Sequence, residues 1–83
     1  MDYELTQHAS EVILEREIKI QWIDLTLNSP EFIEKDSEDE ELEHRFRRIK
    51  ENGNRVLRVV LNTARKPIRL VTVYFDRTME KRL

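Results

Sequence analysis

The chain has 83 residues, 39% of them charged and 39% hydrophobic, with a net charge of −2, which makes one small domain with a compact core and is too mixed in charge for electrostatic disorder. It has no cysteine, which excludes a disulfide scaffold and every zinc site built on thiolates. No apolar run reaches the ~18 residues of a membrane span, and residues 1–8 lack the basic and apolar regions of a secretory signal, so the expected location is the cytoplasm, with no membrane partner.

Thr6 is a favoured N-cap, and a helix is expected over about residues 6–17. Ala9, Val12, Ile13 and Arg16 follow the i, i+3, i+4, i+7 spacing of one face. Ile18-Lys19 reads as a short connection to a second helix, about 20–28, with Ile20, Ile23 and Leu27 on one side and Trp22 and Leu25 widening the stripe. Asn28-Ser29-Pro30 ends it, because the residue before proline avoids the helical region. After Pro30 the period changes. Strands are expected at about 31–35, 42–51, 54–63 and 68–76, with an acidic turn from Asp36 to Glu41. Asn52-Gly53, which holds the only glycine, reads as a two-residue type I′ hairpin turn. The expected fold is a single α+β domain over 1–83, two N-terminal helices packed on a four-stranded antiparallel sheet.

A two-residue turn at Asn52-Gly53 pairs residues whose numbers sum to 105. Phe46 then faces Val59 and His44 faces Leu61 on a core side with Leu57, under the helices. Arg47 faces Arg58 on the other side, beside Arg45. Like charges directly opposite are destabilising on a sheet, so three clustered arginines point to nearby acids or to a bound anion, and the planar guanidinium suits a phosphate. Placing Val71, Val73 and Phe75 in the core leaves Thr72 and Tyr74 beside these arginines. A five-residue loop over 63–67 sets Thr72 opposite Arg58. A one-residue slip reverses such faces.

The charge is divided along the chain. Residues 1–44 hold 14 acids and three bases, a balance of −11, and residues 45–83 hold 12 bases and three acids, a balance of +9. Such a split suits an anionic partner for the basic half, or acids and bases that pair across the fold. His8 lies in the first helical turn, where the positive end of the dipole favours the neutral imidazole that a general base requires; a plain surface histidine is the alternative. His44 is expected on the helix-covered side near the sheet edge. Tyr74 has the chemistry to donate a proton or stack on a base, or simply packs in its strand. The acidic run lacks the glycine and spacing of a calcium loop, and one glycine cannot build a phosphate-binding loop. No metal and no cofactor are expected. The enzymatic reading is metal-independent cleavage of RNA: a base at the 2′-hydroxyl, with arginines on the phosphate.

Thr6-Gln7-His8-Ala9, Glu15-Arg16, Ile18, Asn28-Ser29-Pro30-Glu31, Val56-Leu57-Arg58-Val59-Val60 and Leu70-Val71-Thr72-Val73-Tyr74 together resemble the bacterial family called domain of unknown function 4258, from about residue 5 to 76. That family is similar to the RelE/ParE-like toxins of the barnase, EndoU and colicin nuclease fold group. Where the family usually has a glycine after its helix-one arginine, this chain has Glu17. The resemblance implies an αα-ββββ, RelE-like fold and a toxin–antitoxin setting: an endoribonuclease acting on RNA, free or ribosome-associated, with an antitoxin protein of zinc-finger type as partner. It implies His8, Arg58, Thr72 and Tyr74 as catalytic residues and adds Arg16 to Arg45, Arg47 and Arg58 as RNA-binding residues. The alternative is a non-catalytic RelE/ParE-like module, or another protein-interaction domain, that blocks a partner by binding it. A shared fold does not carry a shared reaction with it.

Overall fold

The structure, a computed structural model, describes residues 1–83. Strand β1 (Tyr3–Leu5) is followed by helices α1 (Gln7–Glu15) and α2 (Ile20–Asn28), then by β2 (Phe32–Lys35), β3 (Leu42–Ile49), β4 (Arg55–Asn62) and β5 (Ile68–Phe75), with 3₁₀ turns at Lys50–Asn52 and Arg77–Lys81. The strands form one sheet in the order β1-β5-β4-β3-β2. β2 to β5 pair antiparallel, and β1 runs parallel to β5 with Tyr3 opposite Ile68 and Leu5 opposite Leu70. The expected four-stranded antiparallel sheet is therefore corrected to a five-stranded mixed sheet, still in the α+β class. Three residues are too few to show a period, and the partner of β1 lies at the far end of the chain. Its anchor is specific: the Tyr3 hydroxyl donates to Asp24 of α2 at 2.9 Å. Burial, that hydrogen bond and the Asp24 charge push the phenol pKa up to about 12.

Both ends of α1 are built from side-chain and backbone hydrogen bonds that its sequence encodes. At the start, the Thr6 hydroxyl oxygen accepts from the Ala9 N–H and the hydroxyl donates to the Val71 carbonyl, each at 3.0 Å. One side chain thus caps the helix and pins it to β5. At the other end, Glu17 N–H donates to Leu14 O at 3.3 Å and Ile18 N–H donates to Ile13 O at 3.0 Å. These two bonds are a Schellman motif, whose turning residue takes the left-handed conformation. That residue is Glu17, at φ 53°. The motif turns Ile18 inward, so Ile18 is a core residue as well as a connection.

Helix α2 buries Trp22, Ile23, Thr26 and Leu27 and leaves Ile20 and Leu25 exposed. It lies on β3 and β4, while α1 packs along β5 at the sheet edge. The main core joins Ala9, Ile18, Trp22, Ile23 and Leu27 to Ile49, Leu57, Val59, Leu61, Leu70 and Val73. Each large apolar side chain buried there stabilises the fold by roughly 1.5–3 kcal/mol. A smaller cluster on the helix-free face joins Phe46 and Val56 to Met79 of the C-terminal 3₁₀ turn.

The β3–β4 register corrects the sequence reading by one residue. The connection is a five-residue turn, 50–54, closed by Asn54 N–H donating to Ile49 O. The positive φ values fall on Gly53 (64°) and Asn54 (60°), not on Asn52 and Gly53. Pairs now sum to 104, so Phe46 faces Arg58, His44 faces Val60, and Arg45 faces Val59. The slip moves Phe46 and His44 to the helix-free side and Arg45 and Arg47 to the helix side. It also brings Ile49 into the main core. A bulge in β5 has a similar local effect. Leu61 faces Leu70 and Val60 faces Thr72, so Val71 is the extra residue. Leu70 takes the fully buried place expected for Val71.

Candidate functional site

Past Leu70, β5 has no strand on its outer side, and α1 lies alongside it instead. Between the two runs a groove of about 690 Å³. Its lining includes His8, Arg16, Trp22, Arg55, Thr72 and Tyr74, with Glu15 and Glu17 as its acids. His8 Nε2 lies 3.2 Å from Thr72 Oγ1. The approach follows from the local structure: Thr6 ties the start of α1 to Val71, so the first helical turn stands against the next residue of β5. Tyr74, 39% exposed, projects on the same side of the strand as Thr72. Arg16 closes the helix as its C-cap. Arg55 opens β4 and places its guanidinium 4.5 Å from the Phe75 ring centroid. Sequence reasoning missed Arg55, and no local signal marks it: its place depends on how β4 and β5 finish side by side.

Arg58 lies on the helix-free face in a row that crosses four strands. Phe32 faces Phe46, Phe46 faces Arg58, and Arg58 faces Tyr74. The expected partner of Arg58, Thr72, faces Val60 instead. The guanidinium lies 4.8 Å from the Phe46 ring and 5.7 Å from the Tyr74 ring, in cation–π range of both. Its Nε donates to His44 Nδ1 at 2.9 Å and its Nη1 to Asp76 Oδ2 at 2.6 Å. His44 Nε2 in turn lies 2.6 Å from Asp36 Oδ1. The hydrogen bond from His44, with those from the Asp39 and Glu38 backbone, holds the Asp36 carboxyl below its ordinary pKa. Burial pushes the Asp76 carboxyl up, but hydrogen bonds from Thr78 and Arg58 and the Arg58 charge outweigh it, and the net shift is down. Arg58 is thus the centre of an internal network that stands behind Tyr74, and its charge is already met by a carboxylate.

Arg45 and Arg47 do not join Arg58. On the opposite face, Arg45 Nη1 donates to Leu27 O and Arg47 Nη1 to Ser29 O, both at 2.6 Å. These are carbonyls at the end of α2, where orphan acceptors and the negative end of the helix dipole attract cations. Arg45 Nε also donates to Glu43 at 2.6 Å. The expected cluster of Arg45, Arg47 and Arg58 is corrected: the first two serve the helix end. His8, Arg16, Thr72 and Tyr74 do come together at the groove, with Arg58 behind Tyr74.

No group of three or more His, Asp or Glu side chains is placed to hold a metal ion. No helix is long and apolar enough to cross a membrane. A family model described as "Domain of unknown function (DUF4258)" matches residues 5–75. No curated protein and no solved structure matches the chain.

Proposed function

The chain belongs to the DUF4258 family, and from its groove we propose that it is a metal-independent endoribonuclease, the toxin of a toxin–antitoxin pair. The observation that carries the reading is the contact of His8 with Thr72 at the mouth of a groove that also holds Arg16, Arg55 and Tyr74. In this reading Thr72 Oγ1 accepts the His8 Nε2–H, which leaves the Nδ1 lone pair free as the general base. Nδ1 takes the proton of the RNA 2′-hydroxyl. The 2′-oxygen forms a bond to the adjacent phosphorus, and the bond from phosphorus to the 5′-oxygen breaks. The Tyr74 hydroxyl gives its proton to that leaving oxygen. The products are a 2′,3′-cyclic phosphate and a 5′-hydroxyl. Arg16 and Arg55 offset the negative charge that develops on the phosphate, and the exposed Tyr74 ring gives a base a surface to stack on. Arg58 is a positioning residue, holding the Tyr74 ring from behind.

Purified protein should cut RNA in the presence of a chelator and leave cyclic phosphate ends. His8→Ala should slow cleavage by about 10²–10⁴-fold with RNA binding retained, the usual contribution of a general base. Replacing the 2′-hydroxyl by hydrogen should abolish the reaction. The same groove favours a second reading, in which the protein blocks a partner without chemistry: β5 from Thr72 to Phe75 pairs with β4 on one side and has no strand on its outer side. Growth arrest on expression, with no cleavage by the wild type and full arrest by His8→Ala, would select it.

A further inference from the structure

The fold keeps the charge split of the sequence only in part: the acidic loop lies at one end of the sheet, the same end as Arg65 and Lys66 of the β4–β5 loop. The loop 36–41, with five acids and no base, precedes β3, and the turn 50–54 follows it. The basic residues near that turn differ in their engagement. Arg48 is held by the carbonyls of Asn54, Glu80 and Leu83. Lys50, Arg77, Lys81 and Arg82 are exposed and make no salt bridge. Antiparallel pairing brings the end of β3, the start of β4 and the end of β5 to the same place. The 3₁₀ turn Arg77–Lys81 then packs back on β4 and reaches Arg48 of β3. The four cations therefore form a rim along one end of the sheet. Of the acids nearby, Glu51 accepts from the Trp22 indole, Asp76 from Arg58 and Thr78, and Glu31 from the Arg48 N–H; Glu80, within the 3₁₀ turn, makes no salt bridge and lowers the net charge of the rim by one. The rim is continuous with the groove through Asn52 and Arg55, which line it.

We infer that this rim is the surface that holds the backbone of single-stranded RNA, carrying the strand into or out of the groove at Arg55. The inference rests on the ribonuclease reading for the choice of polyanion and adds residues that it does not use. The argument is charge complementarity in a specific place. Four free cations along the rim, with the five-acid loop at the other end of the sheet outnumbering Arg65 and Lys66 there, orient a polyanion along the sheet and keep its phosphates off the acidic loop. The exposed Tyr74 ring, three residues before Arg77, favours unpaired bases over a duplex or a lipid surface.

The test uses a short fluorescent single strand of 2′-O-methyl RNA, which cannot be cut by 2′-hydroxyl attack, and anisotropy titrations over a range of salt. Two double variants remove the same charge from opposite ends: Lys81→Ala with Arg82→Ala at the rim, and Arg65→Ala with Lys66→Ala in the β4–β5 loop. If both rim residues contact phosphates, the rim variant should bind more weakly and lose about 1.4 units of salt slope, at ~0.7 per phosphate contact on a single strand. The loop variant should keep the wild-type slope. Equal slopes in the two variants, or no binding by the wild type, would overturn the rim. So would rim-dependent binding to phosphatidylserine vesicles with oligonucleotide binding unchanged. The ribonuclease reading fails separately: a rim-dependent slope in a protein that cuts no RNA leaves the rim in place without the chemistry. Cleavage lost in His8→Ala, with equal slopes in the two doubles, does the reverse.

Discussion

The Nε–H of Arg58 donates to Nδ1 of His44 over 2.9 Å, and this sets the tautomer of the imidazole. A guanidinium nitrogen only donates, so Nδ1 must accept; the ring proton is then on Nε2, facing Asp36. The pair thereby links β3 to β4 through side chains and ties the acidic loop to the start of the C-terminal 3₁₀ turn. His44→Ala and Arg58→Ala should each destabilise the protein, and the double variant should cost less than their sum. A coupling of roughly 1–2 kcal/mol is expected for a network of this kind. Urea unfolding of the four proteins measures it, and additive costs would mean that the contact contributes nothing to stability.

Asp76 gives the network a pH signature. Its carboxyl pKa is lowered in the folded state, so the folded form binds fewer protons than the unfolded form as the pH approaches that range. The stability it contributes is present above the unfolded value of about 3.9 and is lost as the pH falls through the lowered folded value. Urea midpoints should therefore drop between about pH 4.5 and 3, near and below the unfolded value. Asp76→Asn should be less stable at neutral pH and show a flatter acid limb. An acid limb as steep in Asp76→Asn as in the wild type would assign the loss to other carboxylates, Asp36 first.

Glu17 and Gly53 make opposite predictions from the same backbone region. Glu17 occupies the left-handed position of a Schellman motif with a side chain present. Glu17→Gly should stabilise the protein by about 1 kcal/mol by relieving that conformation. Gly53 also lies at φ 64°, with open space where a Cβ would stand. Gly53→Ala should therefore destabilise by about 1 kcal/mol through the backbone alone. Thermal or urea unfolding reads both, and a destabilising Glu17→Gly would show that the Glu17 side chain does more than occupy the turn.

Arg45 and Arg47 separate a structural arginine from an RNA-binding one. Each donates to a carbonyl at the end of α2. Arg45→Met and Arg47→Met should each lower stability by roughly 1.5–3 kcal/mol, the range for a hydrogen bond involving a charged group. The salt slope of oligonucleotide binding should not change. A slope reduced by either substitution would return that arginine to the RNA surface.

What the sequence disclosed follows the distance over which each signal acts. The Thr6 cap and the Asn28-Ser29-Pro30 stop depend on neighbours a few positions away, and both could be read directly. So could the inward face of Leu57, Val59 and Leu61, from alternation within one strand. The register could not. Asn52-Gly53 satisfies the rule for a two-residue turn, yet the chain takes a 3₁₀ turn first and puts its positive φ values one residue later. That choice depends on Ile49 entering the core and on arginines reaching α2, which are tertiary contacts. At the site, His8, Thr72 and Tyr74 could be singled out from helix position and strand alternation. Arg55 could not, because its place beside Phe75 depends on how β4 and β5 finish together.

The parallel pairing of β1 with β5 sets an order of events in folding. Tyr3 meets Ile68 across 65 positions of chain, so this contact closes nearly the longest loop the domain contains. Helices and hairpins whose contacts are local form first, and pairing at long sequence separation waits for its loop-closure entropy to be offset. On the ribosome, β1 leaves the exit tunnel first and has no sheet partner until β5 has followed it. The N-terminal strand is therefore the last piece of the sheet to dock. With it comes the tie from Thr6 to Val71 that sets His8 against Thr72, so the groove is assembled only when the sheet is complete.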